Sequence, residues 1–327
     1  MMIVQIFDKC VHDLEINGGY AILPLTGLQS SSNNTISNAF DTARCVFDEI
    51  RCGGGDNDGS DGSLLMPLID PSTDSGGWTG YHKADVTNGR YNEHREGFVF
   101  SNGEFFAVDS NDDFESDMKQ FFHFCHDVVA NGVMRAIERR LELPDCYFDK
   151  ELGPTNNASQ WHLKRYQVDE LEEPNNDPPP VSEQKVLLPM HTDPSLISVV
   201  IIDSPGVNKG GKGLEIFHSS STWKAIPHHG RDVAIIFVGS VLSHLTKREV
   251  FSAIKHRVVD SCNGGISNER VAATLFVRPH PDAYMKTLPS KYVLHHETVS
   301  AKLPPTFRVW NARVAKNYMK KKQKQNK

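Results

Sequence analysis

The run Leu187-Leu188-Pro189-Met190-His191-Thr192-Asp193 begins, and Ile254-Lys255-His256-Arg257-Val258 with Arg270-Val271-Ala272 completes, the part of the chain whose reading decides the fold. His191 and Asp193 are two residues apart, so in a β-strand their side chains leave on the same face. His256 follows Asp193 by 63 positions. Two imidazoles and one carboxylate are the ligand set of a non-haem Fe(II) site, occupying one face of an octahedron and leaving the other open.

The sequence around these residues is a series of short apolar runs separated by turn residues. Strands are predicted at 184–190, 194–203, 213–217, 222–226, 232–238, 253–259 and 270–278. An earlier one covers Trp161 to Arg165 and ends near Tyr166. Strands at such intervals point to a β-sandwich or barrel. Between the two histidines come Gly213-Leu214-Glu215-Ile216, Trp223, Ile226-Pro227, and the run Val233 to Val238 closed by Gly239. After His256 come Arg270 and then Phe276-Val277-Arg278-Pro279.

That order resembles the 2-oxoglutarate and Fe(II)-dependent oxygenases of the isopenicillin N synthase-like branch. The resemblance runs from about Gly19 to Pro279 and is densest after His191. It implies an α+β chain with a mainly β core, a double-stranded β-helix (jelly roll) flanked by helices from the N-terminal half. It also implies His191, Asp193 and His256 as iron ligands, Arg270 as the residue that binds the distal carboxylate of 2-oxoglutarate, and Tyr166 as its helper. A guanidinium suits that task because it offers a carboxylate two parallel charge-assisted hydrogen bonds. The implied requirements are Fe(2+), 2-oxoglutarate as co-substrate and O2, with ascorbate added for full activity.

The chain departs from the family pattern at three places. The Arg-x-Ser is Arg270-Val271-Ala272, so a hydroxyl worth about 0.5–1.5 kcal/mol is missing. Thr274 shares that strand face. The Asn-x-Tyr is Lys164-Arg165-Tyr166, and Ser240 stands where many members have Asp after the Val-Gly. The implied reaction oxidises a small organic molecule by hydroxylation, desaturation or ring closure, with release of succinate and CO2. Two alternatives stay open: a 2-oxoglutarate-independent Fe(II) oxidase that keeps the triad and the arginine, and a non-catalytic jelly-roll binding protein.

The 327 residues are 39% hydrophobic, enough for a sizeable core. No run of 18 apolar residues is present, so no membrane association is expected. The net charge of −6 and the lack of a basic stripe with interleaved aromatics make nucleic acid an unexpected partner. Six scattered cysteines without a CxxC pair read as reduced thiols of a cytoplasmic protein. The lysine-rich tail from Lys316 leaves a nuclear location as the alternative and is expected to be disordered. Oligomeric state is not legible.

The expected organisation is a mainly helical region over 1–150, the jelly roll over 151–300 and an extension over 301–327. Within the first region a helix is predicted over Thr35 to Ile50, and a long one from Met118 to Leu141, closed by Pro144. Gly80-Tyr81 and Arg95-Glu96-Gly97-Phe98 resemble marks of the family's helical N-terminal part. Residues 53–63 and 174–180 read as loops, the latter because of three consecutive prolines.

Overall fold

Residues spaced three and four apart along the first helix, α1 (Met2–Ile16), are Phe7, Cys10, Val11 and Leu14, and all are buried. This apolar stripe is what docks the helix. In this computed structural model the described residues are 2–28, 34–52, 80–82, 85–87, 90–92, 95–101, 103–108, 111–155, 158–166, 186–203, 213–218, 222–227, 230–259, 270–294 and 303–325. The two predicted loops at 53–63 and 174–180 lie outside them. Gly18 and Gly19 carry the chain out of α1 with positive φ into β1 (Tyr20–Pro24). At Gly19 an added Cβ would sit 2.2 Å from the Ser252 carbonyl oxygen.

The helix α2 (Thr35–Cys52) buries Ile36, Ala39, Phe40, Ala43, Val46 and Phe47. It is followed by β2 (Gly80–His82), the hairpin of β3 (Asp85–Thr87) and β4 (Arg90–Asn92), and β5 (Arg95–Ser101). The long predicted helix is a continuous helical run: α3 (Phe114–His123), a π-helical segment (Phe124–Ala130) and α4 (Asn131–Arg140). The short α5 (Tyr147–Leu152) comes after Pro144.

The remaining strands are β6 (Gln160–Tyr166), β7 (Val186–His191), β8 (Ile197–Asp203), β9 (Leu214–Phe217), β10 (Trp223–Ile226), β11 (Val233–Val238), β12 (His256–Val259) and β13 (Arg270–Phe276). The helix α6 (Ser240–Leu245) follows β11, and α7 (Phe307–Gln325) comes last. A seven-stranded sheet has the order β1-β11-β8-β13-β6-β5-β2, and a four-stranded sheet the order β10-β9-β12-β7. The pairings recorded within both are antiparallel. This is the two-sheet jelly roll.

Strand alternation separates two cores. Trp161, Leu163, Val199, Ile201, Ile236, Val271, Ala273 and Leu275 point from the large sheet toward the helices. The opposite face sends Tyr166, Val200, Ile202, Ile235, Phe237 and Ala272 into the space between the sheets. There they meet Leu187, Leu188, Leu214, Ile216, Ile226 and Val258 of the small sheet. A sheet covered on both faces explains why its strands read as nearly continuous apolar runs.

Two expectations are corrected. Gly80-Tyr81 and Arg95-Glu96-Gly97-Phe98, which fall in the region expected to be mainly helical, lie on β2 and β5 and extend the large sheet. The tail from Lys316 is not disordered throughout, because α7 runs through it to Gln325. Its Lys, Arg, Ala, Gln and Met residues are good helix formers, and local propensity there outweighs charge repulsion.

Candidate active site

β7 ends at His191, and β12 begins at His256 directly opposite it in register. This pairing, and not proximity in sequence, brings the two imidazoles together, with ring centroids 4.2 Å apart. Asp193 follows in the turn out of β7. Its Oδ1 lies 3.6 Å from His191 Nε2 and 3.6 Å from His256 Nε2. One ligand atom from each of the three residues falls within 4.8 Å of the others.

The ring orientations are set by the backbone. The Nδ1–H of His191 donates to the Pro189 carbonyl at 2.8 Å, and that of His256 to the Ile254 carbonyl at 3.3 Å. Each bond leaves Nε2 as the bare nitrogen, pointed at the shared centre, as metal-binding histidines require. His256 also stacks on Phe237, with centroids 4.6 Å apart and planes 19° from parallel. Burial, aided by the neighbouring His256, pushes His191 down to about 4, against the pull of the Asp193 carboxylate. The imidazole is therefore neutral at pH 7, the form that binds a metal.

Asp193 is held by the start of α6. The backbone N–H of Ser240 donates to the Asp193 carbonyl at 2.8 Å, and the Ser240 hydroxyl donates to the same oxygen at 3.0 Å. Gly239 lets the two segments touch, since a Cβ there would sit 2.0 Å from the Ser195 carbonyl oxygen. The hydroxyl at Ser240 thus braces a ligand-bearing turn through its backbone.

The donor set fits a divalent iron. Two imidazoles and one carboxylate converge from one side, and the 3.6 Å from Asp193 Oδ1 to each Nε2 is slightly wider than the roughly 3 Å expected for donors about 2.1 Å from a common octahedral ion. A small contraction would seat the ion. His191 keeps 24% of its side-chain surface exposed, whereas Asp193 and His256 are buried, so the site opens on the His191 side.

Arg270 and Tyr166 are register partners on β13 and β6, and both are buried. The Arg270 guanidinium carbon lies 4.8 Å from the Tyr166 ring centroid, so the tyrosine contributes its face to the arginine. The inward positions of this part of the large sheet form rows. Arg95, Tyr166 and Arg270 share one row; Gly97, Lys164, Ala272 and Ile202 share the next. Lys164 is buried opposite Ala272, and its stem crosses Gly97, where a Cβ would sit 2.6 Å from Lys164 Cδ.

The sequence by itself assigns no role to Arg95, Lys164, Arg278, Gly239 or Phe237. For Arg278 a signal exists: it lies at an even spacing from Arg270 on one strand, and even spacing means one face. For Arg95 and Lys164 there is none, because their inward direction follows from register with strands far away in sequence.

Residues 165–279 match the model of the 2OG-Fe(II) oxygenase superfamily. No curated protein matches the chain by sequence. Among solved structures, a full-length Neurospora crassa protein in complex with alpha-KG is similar with a TM-score of 0.66 at 17% identity, covering 95% of this chain and 90% of that one. The rice dioxygenase for auxin oxidation is similar with a TM-score of 0.60 at 15% identity, covering 96% and 90%. JOX2 in complex with 2OG, Fe and JA gives 0.64 at 14% identity, covering 95% and 81%. At such identities the likeness is one of fold. The family match, the fold and the His-Asp-His cluster together define the class: residues 165–279 carry a 2OG-Fe(II) oxygenase superfamily domain, consistent with the isopenicillin N synthase-like branch. The protein is an oxidoreductase of the dioxygenase type, with Fe(II) as metal and 2-oxoglutarate as co-substrate. No helix among the described residues is long and apolar enough to cross a membrane.

Proposed function

We propose that this protein is an Fe(II)- and 2-oxoglutarate-dependent oxygenase that hydroxylates, desaturates or cyclises a small organic molecule. The observation that carries this reading is the convergence of His191 Nε2, His256 Nε2 and Asp193 Oδ1 under an open face. His191, Asp193 and His256 hold the iron, and Arg270 binds the distal carboxylate of 2-oxoglutarate with Tyr166 packed against it. Fe(II), when bound, supplies O2 activation coupled to decarboxylation of 2-oxoglutarate to succinate and CO2.

The chain's residues bind, orient and keep water away. Pro189 and Ile254 hold the imidazoles in the tautomer that exposes Nε2. Val200, Ile202, Ile235, Phe237 and Ile254 line an apolar interior around the polar groups. In such surroundings the charge of Arg270 acts on a carboxylate with little screening. The tyrosine face beneath it restricts the guanidinium to one position, which favours a diacid of one length over shorter and longer ones.

The solved relatives favour a small-molecule substrate: the Neurospora crassa protein was crystallised with thymine and with 5-formyluracil, JOX2 with JA, and the rice enzyme is described as acting on auxin. We assign the work within the chain as 151–300 for catalysis, 1–150 for its flank and 301–327 as an extension, in a cytoplasmic setting. The test is succinate release by anaerobically iron-loaded protein, with ascorbate, in the presence and absence of candidate small molecules. Succinate formation dependent on iron and on 2-oxoglutarate supports the reading. Turnover with 2-oxoglutarate omitted and no succinate formed would replace it by the oxidase alternative.

A further inference from the structure

Arg278 continues the inward face of β13, two residues beyond Phe276. Its backbone N–H donates to the Ser159 hydroxyl at 3.3 Å, and the guanidinium carbon lies 5.8 Å from the Phe276 ring centroid. The side-chain Nε is buried and has no hydrogen-bond partner among the described residues. Among the described residues no carboxylate forms an ion pair with it. The segment that carries it pairs with the chain just after Asp193: the Leu196 N–H donates to the Val277 carbonyl at 2.7 Å and the Val277 N–H to the Ile197 carbonyl at 3.0 Å, and the acid whose charge reaches the guanidinium is Asp193. Burial pushes the guanidinium down to about 10, which leaves it charged at neutral pH.

Asp193 does not serve as its counter-ion. Its Oδ1 is shared between the two imidazoles at 3.6 Å each, and a divalent ion bound there would more than cancel its charge. With the metal in place, Arg278 is a half-buried cation with a buried Nε, and among the described residues no carboxylate is left to pair with it. A buried charge is tolerated where a partner supplies the opposite one. Arg270 is eight positions away along an extended strand, so at about 3.3 Å per residue the two Cα atoms are roughly 25 Å apart. The two arginines therefore serve opposite ends of the interior, and a five-carbon diacid anchored at Arg270 does not use both.

We propose that Arg278 is the specificity residue for the oxidised substrate, and that this substrate is a small organic acid whose carboxylate pairs with the Arg278 guanidinium beside the metal. The inference rests on the oxygenase reading above and adds to it the chemical class of the substrate. The planar fork of arginine matches a carboxylate in a way an ammonium does not.

The experiment uses the full chain loaded with Fe(II), as wild type, Arg278→Gln and Arg278→Lys. A library of small carboxylic acids, each matched with its primary amide, is scored for stimulation of succinate release above the substrate-free rate. In parallel, 2-oxoglutarate binding to the Mn(II)-loaded proteins is measured by calorimetry under nitrogen. Acids should stimulate wild type where their amides do not. In Arg278→Gln the half-saturating concentration of the best acid should rise roughly 30-fold or more, with partial recovery in Arg278→Lys. The 2-oxoglutarate dissociation constant should stay within about twofold of wild type, since its distal carboxylate is bound elsewhere.

The proposal is overturned if amides stimulate as well as their acids, if no acid stimulates, or if Arg278→Gln keeps the wild-type preference. It is overturned equally if Arg278→Gln weakens 2-oxoglutarate binding as strongly as acid binding, which would make Arg278 a co-substrate residue. Failure of the oxygenase reading has a different signature: wild type itself would not bind 2-oxoglutarate in the presence of metal.

Discussion

Arg270→Gln separates the co-substrate assignment from the metal assignment. Arg270 is buried with 6% of its surface exposed, on a strand face shared with Ala272 and packed on Tyr166. Removing one partner of a buried, hydrogen-bonded charge pair costs about 2–5 kcal/mol. The apparent 2-oxoglutarate KM should accordingly rise between about 30-fold and several thousandfold. Tyr166→Phe keeps the ring under the guanidinium and removes one neutral hydroxyl, so its cost should be about 0.5–1.5 kcal/mol. Iron content should remain that of wild type in both variants, because neither residue belongs to the His191-Asp193-His256 cluster. The assay is a 2-oxoglutarate titration following succinate, with binding of 2-oxopentanoate as the control. That molecule keeps the 2-oxo acid end and lacks the distal carboxylate, so Arg270→Gln should bind it as wild type does. An unchanged KM, or equal losses for both molecules, would refute the assignment.

His191→Ala, Asp193→Ala and His256→Ala should each abolish succinate formation and lower bound iron well below one per chain, by metal analysis after gel filtration; normal iron and turnover in Asp193→Ala would sink the triad. Gly239→Ala drives a Cβ to within 2.0 Å of the Ser195 carbonyl oxygen; overpacking of this kind costs about 1–3 kcal/mol, and the displaced turn carries Asp193, so Fe(II) affinity should fall together with the melting temperature. A drop in stability with unaltered metal affinity would show that the turn yields without moving the ligand. Metal-free protein should lose stability on acidification, because His191 is held at about 4 by burial and by His256, against about 6.5 when unfolded. The unfolded chain takes up this proton first, so the contribution is complete above pH 6.5 and disappears as pH falls toward 4. It is read as the difference in urea midpoint between wild type and His191→Gln across that range, which should move against wild type as pH falls; a difference that does not change with pH would contradict it.

The strand spacing after Trp161, the His191-x-Asp193 pair and the second histidine at His256 were legible in the chain because alternation and metal-ligand chemistry are local properties. The same holds for α2 and the helical run from Phe114, whose apolar residues recur at helical spacing. What the chain did not disclose depends on register between distant strands. β1, β2 and β5 join the large sheet from the N-terminal part, although strands of three to seven residues carry too little pattern to announce their partners. Lys164 stood only as part of a departure from the family's Asn-x-Tyr and Arg95 only as part of a family mark, since it is pairing with β13 and β6 that turns them inward. Ser240 read as a departure from the family, and tertiary contact made it a brace on the Asp193 carbonyl. Sequence specifies which faces a strand can present, whereas the neighbouring strand decides which face is buried, and with it which charges come to surround the metal centre.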